Sequence, residues 1–130
     1  MDYSKMTNQE IDELVAVRIY GWKNVKYRDV MTDRRSYSPA GFYGDGPDFE
    51  CYFEVGRWSK DLNNAIQAAE KWRAGDERRS WNLDSPCKAM MVEYCCQLDD
   101  GMPVKKEAPI TVWDSTPARA ICEALLKASE

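Results

Sequence analysis

Three segments of this 130-residue chain combine an amphipathic helical period with a start signal, and each must bury its apolar stripe against something else. Thr7-Asn8-Gln9-Glu10 is a capping box, in which a hydroxyl and a carboxylate satisfy free amides at a helix start. Ile11, Leu14 and Val15 follow at three-and-four spacing, and Arg18 and Ile19 continue the helix. Gly21 offers a left-handed stop, after which Trp22 is expected to pack back over the helix end. Asp61 precedes a second helix expected over Leu62 to Arg73, with Leu62, Ala65, Ile66, Ala69 and Trp72 on one stripe. Ser115-Thr116-Pro117 opens the third. Proline suits a first helical turn, and Ala118, Ile121, Cys122 and Leu125 supply the core face.

Between the helices the period shortens. Phe49, Cys51, Phe53 and Val55 alternate with Glu50, Tyr52 and Glu54, the mark of a half-buried strand, and Gly56 ends it. Ser80 to Leu83 starts a hairpin with Asp84-Ser85-Pro86 as its turn. The run from Cys87 to Leu98 is the most apolar and reads as a central strand covered on both faces. Ala and Met there favour a helix, but Val92, Tyr94 and the paired cysteines tilt the balance to strand. Asp99 to Pro103 is a turn and Ile110 to Trp113 a further short strand. Residues 23–48 read as a long, partly irregular insertion, with a short strand near Val25 to Val30 and a turn-rich end from Pro39 to Pro47.

The chain is expected to be a single domain, residues 1–130, with the aromatic and arginine-rich insertion at about 23–57. Its net charge of −4 is interspersed with Lys and Arg, which disfavours both general duplex nucleic-acid binding and mimicry of DNA. No apolar run reaches membrane-spanning length and no signal-peptide core follows Met1, so no membrane partner and a cytoplasmic address are expected. The five cysteines, Cys51, Cys87, Cys95, Cys96 and Cys122, are odd in number and form no Cys-x-x-Cys; they read as reduced core residues.

The chain has no histidine, which removes the commonest general base and metal ligand and rules out Ser-His-Asp and Cys-His arrangements. Cys95 and Cys96 would point to opposite faces of a strand and could not easily share a zinc ion. The pairs Asp45/Asp48 and Asp99/Asp100 sit in glycine-containing turns, where Asp caps its own backbone; a magnesium or calcium site would need more converging oxygens. Gly41-x-x-Gly44-x-Gly46 has no helix to receive a phosphate and reads as a flexible turn. No catalytic residue, metal or cofactor is therefore expected, and the chain is read as non-enzymatic.

One group points to binding. Arg28, Arg34 and Arg35 lie near Tyr37 and Tyr43, with Tyr27 beside them and Trp58 just after the alternating strand. Guanidinium groups pair with phosphate or carboxylate oxygens, and aromatic faces stack on bases. Such a site would hold a nucleotide, a short single strand or a partner's acidic loop; alternatively, the aromatics fill the gap beside a sheet and the arginines are merely solvated. Arg73, Arg78 and Arg79 beside Trp72 and Trp81 form a second group of the same kind.

Leu14-Val15-Ala16, Ile19 and Gly21-Trp22 resemble the N-terminal motif of the phage ABA-sandwich domain family. Trp58-Ser59-Lys60-Asp61 with Ala65 and Lys71 is similar to that family's central helix start, and Thr116 to Ala128 to its closing helix, in the same order along the chain. Residues 23 to 57 are longer and more aromatic than the family pattern. The resemblance implies an α+β chain folded as a three-layer α-β-α sandwich, with about three helices and a small, mostly antiparallel sheet. It also implies a bacteriophage or prophage origin, and no particular reaction. The expected function is an accessory protein acting in the host cytoplasm by capturing a host protein or a nucleotide-like ligand, in the service of counter-defence. The rivals are a nucleotide sequestration protein that uses the Arg/Tyr insertion and a carboxylate- and metal-dependent enzyme. An edge strand or an exposed Trp offers a route to a homodimer.

Overall fold

The computed structural model of the chain describes residues 2–29, 31–33, 36–38, 40–46, 52–84, 94–99 and 110–130, with the backbone alone described at 31–33, 36–38 and 52–54. It is an α+β protein of three helices and small antiparallel sheets: α1 Asn8–Arg18, β1 Lys23–Arg28, β2 Met31–Asp33, β3 Ser36–Ser38, β4 Gly41–Asp45, β5 Tyr52–Glu54, α2 Leu62–Ala74, β6 Ser80–Asp84, β7 Tyr94–Asp99, β8 Ile110–Asp114 and α3 Pro117–Ala128. A 3-10 turn at Tyr3–Lys5 precedes them.

The helix starts follow local chemistry. The Thr7 hydroxyl accepts from the Glu10 amide at 3.2 Å, and the Glu10 carboxylate takes the Thr7 amide at 3.3 Å, which completes the capping box. Gly21 adopts the left-handed conformation at φ 72°, which lets the Trp22 amide donate to the Ala16 carbonyl at 2.9 Å and brings Trp22 against the core. Asp61 caps α2 by accepting from the Asn64 amide at 3.2 Å. On α2 the buried stripe is Ala65, Ala68, Ala69 and Trp72; Leu62, expected on it, stands exposed in the first turn, and Ala68 is buried instead. Thr116 makes no side-chain cap at α3. Asp114, at the end of β8, accepts from the Thr116 amide at 3.1 Å in its place.

Within the stretch expected to be a partly irregular insertion, the described residues include paired strands, and β1 overlaps the short strand expected near Val25 to Val30. β1 pairs with β4 and β2 with β3, both antiparallel. Arg28 faces Gly41, Met31 faces Ser38 and Asp33 faces Ser36, one constant offset shared by the two ladders. The glycines expected to form a flexible turn include two strand residues, Gly41 and Gly44. Gly44 is needed because a Cβ there would lie 2.6 Å from Val25 Cγ2 and 3.1 Å from the Lys23 carbonyl oxygen. Opposite it, β1 bulges between Lys23 and Lys26, with Asn24 at φ 56°. β5 completes this sheet in the order β1-β4-β5.

The second three-stranded sheet runs β6-β7-β8, with Leu83 opposite Cys96 and Cys96 opposite Val112. Cys96, Leu98 and Val112 are buried on the face that carries α3, while Asn82, Gln97, Thr111 and Trp113 are exposed on the other. α3 packs against α1, α2, β7 and β8 at once. Residues on several sides of that helix are therefore buried: Ala118, Ala120, Ile121, Cys122, Glu123, Ala124, Leu125 and Leu126. A single apolar cluster runs from Tyr3 through Val15, Trp58, Ala65 and Cys96 to Leu126. The Asp84-Ser85-Pro86 turn and the Asp99 to Pro103 turn fall almost wholly outside the described residues, as do Cys87 to Glu93. Among the described residues no helix is long and apolar enough to cross a membrane.

Candidate functional site

The basic surface is made by β1. In an antiparallel pair, residues directly opposite share a face. Lys26 lies opposite Tyr43 and Arg28 opposite Gly41, so Lys26, Arg28 and Tyr43 occupy one face of the sheet. Val25 and Phe42 turn the other way and pack on the core. The Arg28 guanidinium carbon stands 5.3 Å from the Tyr43 ring centroid, a cation–π contact over a ring that is only 8% exposed. Tyr27, 53% exposed, meets Phe42 edge-on with centroids 5.5 Å apart. Lys23 and Lys26 are exposed and form no ion pair among the described residues. Asp45, opposite Lys23, is engaged by Asn24, whose Nδ2 donates to its Oδ2 at 2.9 Å.

The other residues singled out from the sequence go elsewhere. Trp58 is 7% exposed, stacked on Tyr20 (5.0 Å, 23°) and edge-on to Trp22 (6.3 Å, 90°). It ties the end of α1 to the loop before α2. Arg34 and Arg35 lie outside the described residues, and Tyr37 is described by its backbone alone, opposite Thr32. In the second basic group, Arg73 is bound by Glu70 at 2.6 Å and Arg78 by Asp76 at 3.0 Å. Arg79 lies over the Trp72 ring at 5.0 Å and donates to the Trp72 carbonyl at 2.8 Å, while Trp81 Nε1 donates to Glu70 at 3.1 Å. These side chains hold α2 to the start of β6.

A buried acid pair escaped the sequence reading. Arg119, in the first turn of α3, donates to Asn8 Oδ1 at 2.9 Å, to the Tyr3 carbonyl at 2.9 Å and to the Ser4 and Met6 carbonyls. It thus straps the N-terminal residues to α3. Its Nε also lies 3.6 Å from Asp114 Oδ2 and 3.9 Å from Glu123 Oε1. Glu123 is 2% exposed, and its Oε2 has no conventional donor. Burial, then the contact with Asp114, pushes the Glu123 carboxyl up to about 8. Asp114 resists the same desolvation and is held below the usual carboxylate range by Glu123, the Thr116 amide and Arg119. Both directions follow if Glu123 keeps its proton and shares it with Asp114. The i, i+4 spacing of Arg119 and Glu123 was the available signal. What hid the pair was that Glu123 sits on a helix with no free polar face.

Asp114 and Arg119 line a polar cleft of about 480 Å³ with Ser4, Asn8, Ser59, Lys60, Ser115 and Thr116. Its charged groups other than Lys60 are committed to the strap. Nearby, the buried Asp12 accepts from the Ser59 amide at 2.7 Å, and the Ser59 hydroxyl donates to the Asn8 carbonyl at 3.1 Å. Burial raises the Asp12 carboxyl against the pull of that amide.

Cys95, Cys96 and Cys122 are free and buried, and burial raises all three thiols, that of Cys96 to about 12. Such thiols are poor nucleophiles near neutral pH. Cys51, Cys87, Asp48 and Asp100 lie outside the described residues. Among the described residues no group of three or more Cys, Asp or Glu is placed to hold a metal ion. No family model, curated protein or solved structure matches the chain.

Proposed function

We propose that this chain is a non-enzymatic accessory protein of a phage or prophage, working in the host cytoplasm, and that it binds an acidic host protein through the basic β1 face and blocks it stoichiometrically. The observation that carries the reading is the Arg28–Tyr43 pair beside the exposed Lys23, Lys26 and Tyr27, a local basic surface on a chain of net charge −4. The phage setting, the counter-defence role and the layered α-β-α arrangement rest on the three helical motifs. The absence of histidine, the raised thiols and the structural employment of Asp114 and Glu123 support the non-enzymatic part.

A protein partner is favoured over a nucleotide because two of the aromatic rings expected to stack on a base, Tyr43 and Trp58, are already occupied. Tyr43 lies under Arg28, and Trp58 lies against Tyr20 and Trp22. The test is affinity capture from bacterial lysate with the wild-type chain and with Lys23→Glu/Lys26→Glu, both exposed positions at which substitution should leave the fold intact. An acidic protein retained by the wild type and lost by the variant is the expected result. A thermal-shift screen with mono-, di- and cyclic nucleotides runs beside it. Ligand at 100 times its Kd adds about 2.7 kcal/mol, and such a shift, absent from the variant, would replace the protein partner with a nucleotide.

A further inference from the structure

We infer that β1 binds its partner by strand addition: an extended, acidic segment of another protein pairs along the outer edge of β1, its backbone continuing the β1-β4-β5 sheet. The inference rests on the reading of β1 as the contact surface and adds the mode of binding and the conformation of the partner. β1 stands at the end of its strand order. Among the described residues, the backbone hydrogen bonds of residues 23–27 run to β4 alone. A strand so placed presents a row of amide and carbonyl groups that another strand satisfies.

The side chains on this edge select the occupant. Lys26 projects on one face and Tyr27 on the other, so an added strand meets an exposed cation on one side and an aromatic ring on the other. A second copy pairing through the same edge would set one Lys23 and Lys26 pair against another, and like charges directly opposite destabilise a ladder. An acidic strand turns the same positions into attractive cross-strand pairs.

The experiment is a fluorescence-anisotropy titration of the full chain with three short labelled peptides. One alternates Glu and Val, one alternates Lys and Val, and the third repeats the Glu-Val sequence with N-methyl groups on alternate amides. Strand addition predicts that the Glu-Val peptide binds and the Lys-Val peptide does not. N-methylation should weaken binding by about tenfold or more because it removes ladder donors, and Lys26→Glu should weaken it by a similar factor. If the N-methylated peptide binds as well as its parent while Lys26→Glu still abolishes binding, the basic face stands and strand addition is overturned. If neither change matters, or the Glu-Val peptide does not bind at all, both readings fall and the edge lysines serve only to keep sheets apart.

Discussion

Glu123 shows how much one buried proton can control. Its ordinary value is 4.5, and folding raises it to about 8. Between those values the folded chain holds a proton that the unfolded chain releases. The stability linked to it is therefore complete below 4.5 and is lost as pH rises through about 8. Asp114 runs the other way: folding lowers it from 3.8, so its contribution is present above that value and disappears as pH falls through the lowered one. Glu123→Gln keeps a donor toward Asp114 and removes the titration. The loss of stability between about 4.5 and 8 seen in thermal melts should then be smaller than in the wild type, the remainder coming from other buried acids such as Asp12. Above that range the variant should exceed the wild type by about 1–3 kcal/mol, the cost of an unsatisfied buried polar group. Parallel losses in both proteins would show that no proton is shared. Arg119→Met is the complementary change. It strips the cation from the half-buried Asp114 and the buried Glu123 and frees residues 3–8, for an expected loss of about 3–5 kcal/mol, with faster amide exchange in the Tyr3 to Asn8 segment.

The pairing of β1 with β4 brings the two strands close together at Gly44. Gly44→Ala would drive a methyl into Val25 and the Lys23 carbonyl, and chemical denaturation should show a loss of about 1–3 kcal/mol. Adding Val25→Ala should recover part of it, because the closest contact is to the Val25 side chain; no recovery would mean the backbone contacts decide. This pairing was also the element hardest to read. Helix starts are local: the Thr7–Glu10 box, Asp61 and Pro117 each act within one turn, and each stands where the sequence put it. Lys23 to Arg28 has no clean alternation, since a bulge interrupts it and both faces carry exposed side chains. Its pairing with β4 is decided by cross-strand contacts, which leave little trace in either segment alone. The proximity of Arg28 and Tyr43 was therefore foreseeable only as composition, and Trp58 only as an aromatic near them. Its real partners, Tyr20 and Trp22, follow α1 and reach it through tertiary packing.

At the centre of the molecule α3 is enclosed by α1, α2, β7 and β8, and this shared contact should make the described core unfold as one unit. The cysteines report on that. Cys122 on α3 and Cys96 on β7 are both 0% exposed and belong to the same apolar cluster, and burial raises both thiols. Neither can react with an alkylating reagent until the helix and the sheet separate. Cys95 follows the opposite alternation on β7, beside the exposed Trp113 across the ladder and outside that cluster. Lying outside the cluster, it should be uncovered by local fluctuation of the β7-β8 pair. Alkylation in rising denaturant, read peptide by peptide by mass spectrometry, should therefore label Cys95 before Cys96 and Cys122, with a shallow denaturant dependence. Cys96 and Cys122 should follow together, with one midpoint and one steep slope, because both wait for the same exposure of buried surface. A Cys122 that labels well before Cys96 would mean that α3 leaves the sheet without unfolding the rest. In that case the enclosure of α3 would be a matter of contact without cooperativity, and the strap from Arg119 to residues 3–8 would have to stabilise the helices apart from the β6-β7-β8 sheet.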